Sequence, residues 1–227
     1  MNQKLPPYPR TLILPHKPNG TADDMVASES EAAIVFESDC LHIEEKLDGA
    51  NIGIVLLEGH PVIRNRDHFL GKGSARGQFG SIWGWFYENR ELFERLSEYG
   101  DFSVYGEWLV ARHTIPYTRL PDWFVAYDLY NQTVGRFLSP VSSRRILEEI
   151  GFSLPPILHT GRLSGGYESL EQMTQVLSAW ADSRVEGIYL KICDHEVVTH
   201  RFKMVREDFY RRPMWTEMTR NGLANEN

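Results

Sequence analysis

The chain has 227 residues, 42% hydrophobic and 24% charged, the proportions of a globular protein that buries a core. No apolar stretch approaches the ~20 residues of a membrane span, and the polar, proline-rich start (Pro6, Pro7, Pro9, Pro15, Pro18) does not resemble a signal peptide. The net charge of −7 argues against tight, sequence-independent DNA binding, and two cysteines, Cys40 and Cys193, allow at most one bridge, so a soluble cytoplasmic protein is expected.

Residues 1 to about 40 read as an extended segment followed by a polar loop. Strand signals then dominate. His42 to Lys46 and Ala50 to Leu57 are β-favouring runs, and Glu58-Gly59 turns the chain into a returning strand, His60 to Arg66. This hairpin puts Lys46 at a strand end and Arg66 at the far end of the returning strand. Gly49 suits a tight turn where a Cβ would intrude on a ligand. The glycine-rich run Gly71 to Gly77 matches neither the Walker pattern nor a βαβ opening, and reads as a mobile loop. The alternative is a lid whose Lys72 and Arg76 touch phosphates of a ligand.

Ile82 to Tyr99 has the spacing of one amphipathic helix closed by Gly100. Phe102 to Val110 and Trp123 to Tyr130 read as strands, Val141 to Ile150 as a helix, and Ser169 to Ala181 as a third helix. Glu186 to Ile192 and Glu196 to Met204 form a last hairpin, returning Glu186 and Lys203 to one sheet. No repeat or convincing linker is visible, so one domain spanning residues 1–227 is expected. Hairpins mixed with a few helices indicate an α+β fold. Arg64, Arg66, Lys72, Arg76, Arg201, Lys203, Arg206, Arg211 and Arg212 lie near the segments below, whereas acidic residues gather in Asp23 to Glu45 and Glu88 to Glu98. That distribution allows a local cationic groove on an acidic body.

Six segments occur in a telling order. Glu44-Glu45-Lys46-Leu47-Asp48-Gly49 contains Lys-x-Asp-Gly. Ile63-Arg64-Asn65-Arg66, Tyr105-Gly106-Glu107, Phe124-Val125-Ala126-Tyr127-Asp128, Glu186-Gly187-Ile188-Tyr189-Leu190-Lys191 and Arg201-Phe202-Lys203 follow. Together they resemble the motifs of the covalent nucleotidyltransferases, the superfamily of polynucleotide ligases and capping enzymes, and within it the ATP-dependent RNA ligases. The spacing of 20 residues from Lys46 to Arg66 and again from Glu107 to Tyr127 is also similar to that branch.

The resemblance implies an adenylation fold, two antiparallel sheets packed with helices around a nucleotide cleft. It further implies ATP as substrate and Mg²⁺ as cofactor, with Mn²⁺ able to substitute. The other substrate would be RNA with 5′-phosphate and 3′-hydroxyl ends. About 24 residues follow Lys203, too few for the C-terminal OB barrel of DNA ligases and capping enzymes. In this reading Lys46 forms a lysyl-AMP, Arg66 grips a phosphate or the ribose, and Glu107 holds the ribose hydroxyls or a metal-bound water. Tyr127 stacks on adenine, Glu186 and Glu107 are the metal residues, Lys203 contacts the α-phosphate, and Glu45 helps to read the adenine. Arg201 stands where relatives often carry a lysine, and Tyr127 where they often carry phenylalanine. A lysine with pKa near 10.4 is neutral about once in 2,500 molecules at pH 7, so Lys46 needs desolvation or nearby cations.

Zinc-ligand spacing and a Gly-x-Ser-x-Gly elbow are absent from the sequence, and His113 reads as structural. The competing readings are a minimal DNA nick ligase, GTP transfer in capping, and a non-catalytic AMP/ATP-binding module. An RNA-repair role leaves room for a partner protein that heals the ends first.

Overall fold

The computed structural model describes residues 4–21, 24–210 and 219–226. Arg211, Arg212 and Asp23, counted above among the charges, lie outside them. The fold is α+β, with two five-stranded sheets. The elements in order are β1 (Leu12–Ile13), α1 (Glu29–Ala32), α2 (Ile34–Glu37), β2 (Leu41–Lys46), β3 (Ala50–Leu57), β4 (His60–Asn65), α3 (Ile82–Glu88) and α4 (Arg90–Tyr99). They continue with β5 (Phe102–Trp108), β6 (Phe124–Asn131), β7 (Arg136–Phe137), α5 (Pro140–Ile150), β8 (Ile157–Thr160), α6 (Gly166–Thr174), β9 (Gly187–Cys193) and β10 (Val198–Val205). The first sheet runs β1-β10-β9-β2-β8 and the second β4-β3-β5-β6-β7. All pairings are antiparallel except β1 with β10.

Alternation along the strands decides which face each sheet turns to the other. In the second sheet Ile52, Ile54, Val104, Trp108, Phe124 and Leu129 point outward into a core with α3, α4 and α5. In the first, Leu41, Ile43, Ile188, Leu190, Ile192, Phe202 and Met204 point outward and pack with Ala32, Val35 and Leu170 of the helices. The inner faces therefore carry the residues of opposite parity, which are largely polar or aromatic. A third layer lies between the sheets at one end: residues 4–8, fixed where Ser103 Oγ donates to Lys4 O, Tyr105 Oη to Pro6 O and Arg64 to Leu5 O. Leu5 and Tyr8 are buried there with Val55, Tyr105 and Phe137.

Three elements depart from the sequence expectation. The helix expected over Ile82 to Tyr99 is two, because Asn89 leaves helical geometry (φ −108°, ψ 18°) and its side-chain amide donates to Trp85 O. Asn competes with the helical backbone in this way. The third helix spans Gly166–Thr174 rather than Ser169 to Ala181. Val176 to Ser178 instead pair with the chain returning through Ser183 to Val185. The region taken as a polar loop contains α1, whose Ser28–Glu31 capping box satisfies its first turn.

Cys40 and Cys193, the pair that the sequence allowed as one bridge, form a disulfide that ties the chain before β2 to the end of β9. No described helix is long and apolar enough to cross a membrane.

Candidate active site

Between the sheets lies a cavity of about 500 Å³, within the usual range for small-ligand sites. Its side chains follow from strand register. In the first sheet, Lys203 pairs with Tyr189 and Tyr189 with Glu44, so these three form one inward row across β10, β9 and β2. One step deeper, Arg201, Lys191 and His42 form a second row. One step shallower, Lys46 ends β2 opposite Gly187, next to Glu186.

The chain crosses from the first sheet to the second through Leu47-Asp48-Gly49. Asp48 fixes the crossing by accepting from the backbone N–H groups of Thr114 (2.6 Å) and Ile115 (2.8 Å). Gly49, which borders the cavity, is needed because β5 approaches closely. A Cβ there would lie 2.6 Å from Trp108 O and 2.9 Å from Glu107 Cγ.

The second sheet supplies Asn51, Glu107 and Tyr127, with Arg66 exposed at the rim just beyond β4. Tyr127 depends on an irregularity. Tyr105 pairs with Asp128 but Gly106 pairs with Ala126, so Tyr127 is the extra residue of a β-bulge. The bulge turns both Tyr127 and Asp128 inward, where strict alternation would have sent one of them outward. The Tyr127 hydroxyl accepts from Asn51 Nδ2 at 2.5 Å, and its ring lies 6.5 Å from that of Tyr189 at an interplanar angle of 23°.

Below the cavity the deeper row closes into a charge cluster. Lys191 Nζ contacts Glu44 Oε2 (2.8 Å), Asp128 Oδ1 (2.9 Å) and Tyr127 O (2.8 Å). Arg201 contacts Asp128 Oδ2 at 2.9 Å, and Tyr8 Oη donates to the same carboxylate at 2.6 Å. Arg201, expected among the nucleotide-binding residues, is therefore nearly buried and does not border the cavity. Its guanidinium is committed to Asp128 and lies 4.3 Å from the Phe137 ring. Glu45 does border the cavity, but its parity is opposite to that of Lys46 and its carboxylate accepts from Ser178 Oγ (2.6 Å) and Ala179 N (3.3 Å).

The electrostatics favour protonated lysine. Burial works against the Lys46 ammonium, but Glu186 at 2.6 Å, then Glu107, outweigh it and raise the pKa. Glu107 is pushed up to about 8, chiefly by burial, with Lys46 opposing and Glu186 reinforcing the shift. Lys203 is lowered by burial and by Lys46, against the pull of Asp24.

The local cationic groove read from the sequence is not what the described residues form. Arg64 serves backbone carbonyls, Arg76 its own loop, Lys72 the Tyr87 ring and Arg206 the Val185 carbonyl and Asp208. Lys46, Arg66 and Lys203 border the cavity, outnumbered by Asp24, Glu44, Glu45, Asp48, Asp67, Glu107 and Glu186. A polyphosphate entering such a site needs additional positive charge. The donors suit a hard cation: Glu186 and Glu107 flank the cavity, and no cluster of three or more His, Cys, Asp or Glu able to hold a metal occurs among the described residues. In general Mg²⁺ takes one or two protein carboxylates and completes its shell with substrate phosphates and water.

Sequence reasoning missed Asn51, Tyr189, Thr21 and Asp24, all of which border the cavity. Asn51 had a signal, as a polar residue heading an apolar strand. Tyr189 shares the parity of Lys191. Asp24 had none, because its place depends on a contact across 179 residues.

A family model described as RNA ligase matches residues 40–205. No curated protein sequence matches the chain. Among solved structures, the RNA ligase of Naegleria gruberi with pyrophosphate is similar at a TM-score of 0.61 and 18% identity, covering 77% of this chain and 52% of that one. A lysine-to-alanine variant of that enzyme with ATP and Mn is similar at 0.62 and 17%, with the same coverage. Another variant with ATP and Mn covers 91% of this chain and 61% of that one, at 0.61 and 16%. The chain thus spans about half to three-fifths of the length of these relatives.

Proposed function

The chain belongs to the RNA ligase family, and from that premise we propose that it is an ATP-dependent RNA ligase working through a lysyl-AMP, with RNA repair as its role. The observation that carries the reading is convergence. Lys46, Arg66, Glu107, Tyr127, Glu186 and Lys203, drawn from both sheets, border one nucleotide-sized cavity.

Lys46 Nζ attacks the α-phosphorus of ATP. The N–P bond forms as the bond to the bridging oxygen breaks, and pyrophosphate leaves. AMP then passes from Lys46 to the RNA 5′-phosphate, and a 3′-hydroxyl displaces it to form the phosphodiester. Lys46 must first lose its proton. Glu186 holds that proton on, joined by Glu107 where it is ionised, whereas the charges of Lys203 and Arg66 disfavour it. Lys203 faces the α-phosphate and steadies the charge that develops there. Arg66 meets phosphate or ribose oxygens with its forked donors. Tyr127, its hydroxyl pinned by Asn51, offers a ring face to adenine. Glu186 and Glu107 would hold a divalent cation, which would supply positive charge to neutralise the polyphosphate and lessen the grip of these carboxylates on Lys46.

The test is incubation of the purified protein and of Lys46→Ala with α-labelled ATP, or GTP, and Mg²⁺, followed by a denaturing gel. Label from ATP on the wild type alone is expected. Preference for GTP would point to cap transfer. No label, on protein shown by intact mass to carry no AMP, would point to a binding module. Sealing assays on nicked RNA and DNA duplexes then separate the two ligase readings.

A further inference from the structure

Both lysines of the cavity are held by carboxylates, but by carboxylates of different kinds. Glu186, on Lys46, flanks the site as a cation donor. Asp24, on Lys203, comes from a loop outside both sheets, with Nζ–Oδ1 at 2.5 Å and the two side chains only 12% and 15% exposed. The contact is built in. Oδ2 of Asp24 accepts from Thr21 N (2.9 Å) and Thr21 Oγ1 (3.1 Å), leaving Oδ1 aimed at Lys203. The same loop is clipped to the chain after β10 by Asn19 Nδ2, which donates to Arg206 O (2.6 Å) and Phe209 O (3.1 Å). Thr21 and Asp24 border the same cavity as Lys46 and Tyr127.

We propose that Asp24 is a resident competitor for phosphate, a carboxylate of the chain itself that occupies Lys203 until a phosphate oxyanion displaces it. It thereby sets how tightly the cleft takes phosphorylated ligands. The proposal rests on the nucleotide reading above. One ammonium cannot serve a carboxylate and a phosphate at full strength, and the carboxylate left beside the incoming anion repels it. Removal of the Asp24 charge therefore strengthens phosphate binding and leaves base binding alone. A purely structural role for the aspartate predicts the opposite sign.

The experiment is calorimetric titration of the wild-type chain, Asp24→Asn and Asp24→Ser with AMP and with adenosine at low salt. The protein used is shown by intact mass to carry no AMP. AMP should bind roughly three- to tenfold more tightly to both variants, the range for loss of a partly buried charge contact. Adenosine, which lacks the phosphate, should bind all three proteins equally. Unchanged or weaker AMP binding with adenosine binding retained would overturn the proposal. If neither ligand binds any of the proteins, the nucleotide reading fails and the proposal with it. Serine keeps a hydroxyl for the Thr21 turn, so Asp24→Ser decides the matter where Asp24→Asn does not fold.

Discussion

Glu107 gives the sharpest quantitative handle on the cleft. Its carboxyl titrates near 8 in the folded chain, chiefly because burial disfavours the charged form, whereas an unfolded glutamate titrates near 4.3. Between these values the folded state binds more protons than the unfolded state, so stability must fall as pH rises, by up to about 1.4 kcal/mol per pH unit. Below both values the group contributes nothing, and above about pH 8 its full cost has accrued. Glu107→Gln removes the titration while keeping the shape. Between pH 5.5 and 8.5 the stability of the variant relative to wild type should therefore rise by about 3 kcal/mol. Urea denaturation followed by tryptophan fluorescence, at constant ionic strength and without nucleotide or metal, measures this directly. A difference that stays constant across the range, or shrinks with rising pH, would show that Glu107 is ionised in the folded cleft at neutral pH and would refute the reasoning.

The same titration predicts that Mn²⁺ binding to the wild type tightens as pH rises from 6 to 8, by up to about tenfold per unit, and is flat for Glu107→Gln. Calorimetry with the metal alone checks this, and parallel profiles would remove Glu107 from the metal site. Tyr127→Ala should raise the KM for ATP about tenfold or more. Tyr127→Phe, which gives up only the bond from Asn51, should raise it a few-fold, and equal effects would assign the role to the hydroxyl. Asp128→Asn removes the buried carboxylate shared by Lys191 and Arg201, leaving Lys191 only Glu44 as a counter-charge, and should destabilise the protein by about 3–5 kcal/mol. A loss below about 1 kcal/mol in urea would show that the cluster is not energetically coupled. Reduction of Cys40–Cys193, which are separated by 153 residues, should cost about 2–5 kcal/mol. Identical melting with and without dithiothreitol would mean that the thiols are not bridged in solution.

What could be read in advance was local. The β3–β4 hairpin declared itself through its apolar runs and the turn at Glu58 and Gly59, both of which adopt positive φ (53° and 77°). Ordered motif spacing picked out the side chains that border the cavity, since parity along a strand fixes the face on which each lies. Register refined two assignments: Glu45, one residue from Lys46, borders the cavity but spends its carboxylate on Ser178, and Arg201, two from Lys203, lies one row deeper, against Asp128. Neither outcome can be read without knowing which strands pair and in what register. Helix ends failed for a similar reason. The propensity that continues a helix through Leu177 gives way to pairing with Arg184, a partner that only the tertiary fold supplies.

The segment threaded between the sheets also constrains how the chain reaches its native state. Lys4, Tyr8 and their neighbours find partners 99, 120 and 193 residues away, at Ser103, Asp128 and Arg201. Because it precedes these partners in the chain, the segment can dock only after they have been made, which places its ordering among the late, high-contact-order steps. Until then it must avoid pairing with the wrong strand edges. Pro6, Pro7 and Pro9 serve that interval, because they withhold backbone donors and hold the chain extended. The stretch that closes the molecule is thus built to resist mispairing while it waits.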